Sequence, residues 1–249
     1  MKGLGTIVNV LAIILGSGVG ILFKGGLRER FQQLMMQACG LATMFIGMAG
    51  AFEMIFSATV GKNNIVDIST GGTMLIVMSL VIGGLIGEAI NIEKRLDYIG
   101  EKLKTLVRAG KDNKFVEGFV TSSLVVCVGA MAICGSLEDG ISGNPQTLFI
   151  KSILDFVIVA VFASVYGVGV GFSALSVGVF QGTVTLLATF IAPFMSSHLI
   201  STLSGVGSVL IFAVGLNLLF PKKVRVGNLL PALLIPVIYE LILKLPFFK

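Results

Sequence analysis

The chain has 249 residues, of which 55% are hydrophobic and 12% charged, and its mean hydropathy is +0.99. Soluble globular domains carry about 25% charged residues, so this composition excludes a soluble fold; with no long polar segment, residues 1–249 read as a single integral-membrane domain. The formal net charge of +5 lies in short loops between apolar stretches, where it sets orientation and touches anionic lipid, and no basic patch interleaved with exposed aromatics points to nucleic acid.

A bilayer-spanning helix needs about 20 mostly apolar residues. Taken in order, the candidates are Gly3–Phe23, Leu34–Ser57, Gly71–Ile92, Phe115–Leu137, Thr147–Gly167, Val168–Phe194, Ile200–Phe220 and Asn228–Leu245. The first follows Lys2 and is longer than the ~7–15-residue core of a signal peptide, so it is expected to be a retained helix. The predicted fold is therefore all-α: a polytopic membrane protein of about eight transmembrane helices. The junction Tyr166-Gly-Val-Gly-Val-Gly171 carries no charge and is either a tight turn or a re-entrant break.

Between the third and fourth stretches lies a different pattern. Ile92, Leu96, Ile99, Leu103 and Leu106 recur at spacings of four and three with charges between them. This makes Asn91–Arg108 an amphipathic helix, within a polar segment of about 91–114. Gly110-Lys-Asp-Asn113 is expected to end it. It is either a solvated connector or a surface for lipid or a partner.

Basic residues give the topology. Lys24, Arg28 and Arg30 follow the first stretch; Lys94, Arg95, Lys102, Lys104, Arg108, Lys111 and Lys114 follow the third; Lys222, Lys223 and Arg225 follow the seventh. Each pair of these loops, 24–30, 94–114 and 222–225, is separated by an even number of helices. All three can face one side, which the positive-inside rule makes cytoplasmic. A parallel two-helix repeat is also suggested. Gly16-Ser-Gly-Val-Gly20 leads to Gly50-Ala-Phe-Glu53, as Gly83-Gly-Leu-Ile-Gly87 leads to Gly135-Ser-Leu-Glu138.

Carboxylates inside a bilayer are costly and are usually retained for a purpose. Asp155 lies eight residues into its stretch, roughly 12 Å from the outer end, and Lys151 is one turn earlier on the same face. Two readings stand: an ion pair with Lys151 snorkelling outward, or a cation or proton site in a hydrated cavity. Glu53 and Glu138 end the second and fourth stretches at matched positions of the repeat. They are either solvated or, with Asp155, line an outward acidic vestibule; Asp139 is adjacent to Glu138. Gln181 lies deep in the sixth stretch beside Thr183 and Thr185, and Asn217 lies near the cytoplasmic end of the seventh. Asn9, in the first, is expected to bond a neighbouring helix. Glu88 and Glu240 lie near helix ends.

The three cysteines, Cys39, Cys127 and Cys134, fall in apolar stretches, and the last two, seven apart, are expected on one helix face. They read as inert thiols. The single histidine, His198, is expected in a loop, and no metal or cofactor is implied. The glycine clusters lack the strand–turn–helix context of nucleotide loops, and no catalytic set suggests an enzyme.

Several stretches together carry a resemblance. Gly40-Leu-Ala-Thr-Met-Phe-Ile-Gly47, Lys151-Ser-Ile-Leu-Asp155, Phe172-Ser-Ala-Leu-Ser176 with Gln181-Gly182, Gly215-Leu-Asn-Leu-Leu219 and Asn228-Leu-Leu-Pro-Ala232 resemble the bacterial membrane family of domain of unknown function 554, the YqgA-like proteins. The resemblance implies a multi-pass protein of the bacterial plasma membrane and a transport role without an assigned substrate. The expected function is a small secondary transporter or channel for a cation or small solute, with Asp155, Lys151, Gln181, Asn217, Glu53 and Glu138 as candidate ligands. The alternative is a scaffold or regulator acting through the amphipathic segment. The lipid bilayer is the expected partner, and a glycine-rich bundle of this size is compatible with a homodimer.

Overall fold

The structure, a computed structural model, describes residues 2–24, 29–60, 66–106, 114–127, 130–220 and 224–243. The helix-ending segment Gly110–Asn113 and the basic residues Arg28, Arg108, Lys111, Lys222 and Lys223 lie outside them. The helices are α1 (Leu4–Lys24), α2 (Glu29–Ile55), α3 (Thr73–Ile90), α4 (Ile92–Leu106), α5 (Phe115–Cys127), α6 (Ala130–Ser142), α7 (Gln146–Tyr166), α8 (Ser173–Leu186), α9 (Ala188–Ile191), α10 (Ser197–Leu219), α11 (Val226–Leu229) and α12 (Leu234–Leu243). Single turns of 3-10 helix join α7 to α8, α9 to α10 and α11 to α12. The α2–α3 connection adds a short antiparallel hairpin, β1 (Phe56–Val60) and β2 (Val66–Thr70), with Phe56 opposite Thr70.

The protein is a polytopic helical membrane protein. Among the described residues six helices are long and apolar enough to cross a bilayer: α1, α2, α3, α7, Val168–Leu186 and α10. The pair α5 and α6, which meet at 62°, is apolar and long enough only when taken together, a broken span or a re-entrant loop, so the spans number six or seven. The eighth expected stretch is a shorter apolar helix, Val226–Glu240, interrupted by the 3-10 turn at Leu230–Leu233 that contains Pro231. A proline removes a backbone donor and clashes with the preceding turn, so an uninterrupted helix does not form there.

Two long helix pairs organise the bundle: α1 runs parallel to α7, and α2 antiparallel to α10. Both depend on glycine. A Cβ at Gly20 would stand 2.1 Å from the Ala160 carbonyl oxygen, and one at Gly47 would stand 2.4 Å from the Phe212 nitrogen. Backbone contact of this kind supplies the dispersion attraction that replaces a hydrophobic driving force in lipid. A third contact joins α3 to the segment at α11, where a Gly87 Cβ would meet the Asn228 carbonyl at 1.8 Å. The two units of the suggested repeat are not alike: α2 is one continuous helix, whereas its counterpart is the bent α5–α6 pair. Their glycines also pack on different partners, Gly16 on α7 and Gly83 on Ala232.

The Tyr166–Gly171 junction is a tight turn. Gly167 takes φ +85°, a conformation open to glycine, and the 3-10 turn that follows packs on α5 so closely that a Gly169 Cβ would lie 2.0 Å from the Phe115 carbonyl. Cys127 and Cys134 do not share a helix, because the α5–α6 break falls between them; all three cysteines are free and half-buried. His198 sits in the first turn of α10, exposed, 3.5 Å from the Glu240 carboxylate.

The described residues flanking the three basic loops gather at one end of the bundle. Gly20 is beside Ala163, Gly118 beside Tyr166, Gly40 beside Leu219, and Gly227 beside Glu93. There α4 turns off α3 at Asn91, the single non-glycine residue with positive φ among those described (56°). Asn228 anchors the corner: its side chain accepts from the Glu93 N–H at 2.7 Å and donates to Glu88 at 2.7 Å, while Arg225 pairs with Glu88. The outer surface is apolar, with Leu15, Leu22, Phe45, Leu85, Ile153 and Val179 exposed, as lipid contact requires.

Two outcomes follow from this packing. Gly87→Ala drives a methyl into the Asn228 backbone and is expected to cost about 1–3 kcal/mol or more, whereas Gly18→Ala, with no atom within 4 Å of its Cβ, should be neutral; thermal unfolding in detergent compares them. Burial and the charge of Asp97 hold the Glu93 carboxyl above its ordinary 4.5, against the Gly227 N–H and Arg225, which lower it. The raised value means that the folded state holds this proton more tightly than the unfolded chain. Its contribution to stability is present at low pH and is lost as pH rises through the folded value. Glu93→Gln should flatten that decline in melting temperature above pH 4.5.

Candidate functional site

Asp155 is the tenth of the 21 residues of α7, which places it about 14 Å along a helix of about 30 Å, near mid-bilayer. It is 4% exposed, and Lys151, one turn earlier, is 7% exposed. The Lys151 Nζ donates to Asp155 Oδ2 at 2.5 Å. The helical i, i+4 spacing makes this contact almost unavoidable once both side chains face inward.

The same oxygen of Asp155 accepts from Asn9 Nδ2 on α1 at 3.0 Å, and Asn9 Nδ2 also approaches Gln181 Oε1 on α8 at 3.3 Å. Lys151 reaches sideways as well: its Nζ donates to the Val126 carbonyl at 2.8 Å. That carbonyl belongs to the last turn of α5, beside the bend between α5 and α6. Four elements thus converge on one charged pair. Asn9 and Gln181 are fully buried, yet Asn9 Oδ1 and Gln181 Nε2 have no partner. One orphaned acceptor and one orphaned donor beside a carboxylate are the kind of groups that hold water or a small polar ligand.

On one side this polar cluster ends against apolar side chains: Ile13, Val159, Phe162 and Val177, each 0% or 1% exposed. On the other side polar groups continue. Thr6 Oγ1 lies 3.4 Å from Thr185 Oγ1, and Gly5 N–H donates to Asp139 Oδ2 at 2.9 Å.

Of the residues singled out from sequence, Asp155, Lys151 and Gln181 come together. The others do not join them. Glu138 is exposed and accepts from the Thr147 hydroxyl at 2.7 Å, and Glu53 is exposed near the end of α2. Asn217 lies at the opposite, basic end. There its amide brackets Val224, donating to the carbonyl at 2.6 Å and accepting from the N–H at 2.9 Å. It also lines a cavity of about 400 Å³ with Glu93, Asp97, Glu101, Glu117 and Tyr166. The acidic vestibule expected around Glu53 and Glu138 therefore has its counterpart at the other end. Asn9 and Asp139 are the residues that sequence undervalued. The signal for Asn9 was its three-residue spacing from Thr6 on one helix face. For Asp139 it was adjacency to Glu138, since neighbours on a helix point about 100° apart and can face different surroundings.

Among the described residues no group of three or more His, Cys, Asp or Glu side chains is arranged to hold a metal ion. The polar groups at Asp155 are one carboxylate, one ammonium and two carboxamides, a set suited to a proton or monovalent cation.

The chain matches the family described as "Protein of unknown function (DUF554)" over residues 4–241. It is 33% identical over 232 residues to the "Uncharacterized membrane protein YdfK" of Bacillus subtilis (strain 168), with 93% of each chain covered. It is 28% identical over 236 residues to the "Uncharacterized protein YqgA" of Escherichia coli (strain K12), covering 93% of this chain and 94% of that one. No solved structure matches it. The match runs from the start of α1 into α12, and the chain belongs to the DUF554 family.

Proposed function

We propose that this protein is a small secondary transporter or channel for a monovalent cation, with Asp155 as its ion site. The observation that carries the reading is the buried Lys151–Asp155 pair at mid-bilayer, joined to α1 and α8 through Asn9 and Gln181, with two amide atoms left open. A buried ion pair is a poor device for stability alone, since well-packed apolar residues serve as well or better. Its retention beside a broken helix, where transporters commonly build their sites, supports a functional role.

The chemistry is competitive. Asp155 and Lys151 together are neutral, so an arriving cation at Asp155 leaves a net positive charge in the bilayer unless the ammonium withdraws or sheds its proton. The Asp155 carboxylate, Asn9 Oδ1 and Gln181 Oε1 supply oxygen ligands to the newcomer. Lys151 is the internal cation that holds the empty site and yields it. In this reading the protein works in a bacterial plasma membrane. The basic end, with loops 24–30, 94–114 and 222–225, faces the cytoplasm by the positive-inside rule, and the Asp139 end faces out. The cavity of carboxylates at the cytoplasmic end then concentrates cations there.

A second reading, a membrane regulator, has one observation in its favour: Tyr98, Ile99 and Leu106 of α4 are exposed at the basic end. It requires the phenotype to follow α4 and not Asp155.

Reconstituted into liposomes, the wild-type protein should give saturable cation-driven flux that Asp155→Asn abolishes. That substitution strands Lys151, at an expected cost of about 3–5 kcal/mol. The variant Lys151→Met with Asp155→Asn should recover most of that stability and still be silent. Normal flux through a folded Asp155→Asn protein would remove Asp155 from the mechanism.

A further inference from the structure

Asp139 is a second buried carboxylate, and nothing above gives it a task. It lies on α6 at the end of the bundle where α1 begins and is 0% exposed. One oxygen, Oδ2, accepts from the Gly5 N–H, an unpaired donor of the first turn of α1. The other, Oδ1, has no partner. No basic side chain bonds to it among the described residues. Among the described side chains, the charged groups at this end are Glu138, which is exposed and held by Thr147, exposed Lys2 and Glu53, and the His198–Glu240 pair. A carboxylate this buried, without an ammonium or guanidinium, needs a proton or a cation from elsewhere.

Its position gives that need a direction. From Asp139 the polar groups run inward along one face of α1 and one face of α8: Gly5 N–H, the Thr6–Thr185 hydroxyl contact, then Asn9 and Gln181, then Asp155. Thr6 and Asn9 are three residues apart, and Gln181 and Thr185 four, so each pair shares a helix face. Beyond Asp155 the row is closed by Ile13, Val159, Phe162 and Val177. A buried polar row with orphaned atoms at both of its stations, closed by apolar side chains beyond Asp155 and ending at Asp139 beside the start of α1, is the arrangement of a half-channel in its occluded state.

We propose that Asp139 is a second site for the same small monovalent cation, at the outer end of a polar row that leads to Asp155. The inference rests on the transport reading for its direction but is testable without it. The competing account is that Asp139 only caps α1. Asn at this position keeps a side-chain acceptor for the Gly5 N–H but loses the charge, so a cap predicts no effect of Asp139→Asn and an ion site predicts a loss.

The experiment uses the purified full chain in detergent, in the Lys151→Met, Asp155→Asn background that leaves Asp139 as the buried carboxylate of the row. The melting temperature is followed against Li+, Na+ and K+ at fixed pH, and against pH at fixed ionic strength. Ligand bound only by the folded state raises it. The background is expected to keep a cation- or pH-dependent rise, Asp139→Asn to abolish it, and Asp139→Glu to restore part of it. A rise with an alkali cation identifies that ion as the ligand, and a response to pH alone identifies the proton. An unchanged rise in Asp139→Asn, or no rise in the background at all, overturns the proposal. In liposomes carrying the otherwise native chain, Asp139→Asn should raise the outer cation concentration at half-maximal flux at least tenfold, with the maximal rate within twofold. An unchanged half-saturation overturns the inlet role. Loss of the transport reading is recognised separately, by a silent wild type or an active Asp155→Asn, while the thermal measurement still decides whether Asp139 binds.

Discussion

The structure turns on the requirement that a charge carried into the bilayer take its counter-charge with it. Lys151 and Asp155 meet that requirement within one turn of α7, and their remaining hydrogen bonds are what draw the neighbours in. Asp155 takes Asn9 from α1, Asn9 takes Gln181 from α8, and Lys151 takes the Val126 carbonyl in the last turn of α5. The helix carrying the pair consequently packs against α1, α2, α5 and α6. Its buried residues run from Leu148 through Val159 and Phe162 to Tyr166.

Glycine supplies the second condition. Lipid offers no reward for helices that merely touch, so the bundle coheres by bringing backbones to contact distance at Gly16 and Gly20 on α7, Gly40 and Gly47 on α10, and Gly83 and Gly87 on the α11 region. Close approach also exposes backbone groups to one another, which is why the interruptions matter. The α5–α6 break and the Pro231 turn would be intolerable facing lipid. The first has the Lys151 ammonium on the Val126 carbonyl beside it, and the second is packed with Ala232 on Gly83.

The sequence disclosed those features that depend only on spacing along one helix. The membrane class follows from composition, six spans from apolar length, the amphipathic α4 from its periodicity, and the Lys151–Asp155 contact from a separation of four. What depends on which helices are neighbours was not legible. Nothing in the chain says that Asn9 and Asp155, 146 positions apart, are hydrogen-bonded, or that Asp139 faces inward while Glu138 faces water. Asn217 was legible as a polar residue in an apolar run, but not that both ends of its amide bond the backbone of Val224. The continuous apolar run at Phe115–Leu137 concealed a bend, because hydropathy reports what a segment is soluble in and not whether its hydrogen-bond ladder is intact.

That bend gives the molecule a built-in measuring device. Cys127 closes α5 and Cys134 lies in α6, so two of the three native thiols stand on opposite arms of the 62° break, and the third, Cys39, is on α2. With Cys39 replaced, spin labels or fluorophores on the remaining two form a molecular protractor. Their separation converts the angle between the arms into a spectroscopic distance, read in a lipid bilayer without adding a single foreign attachment point.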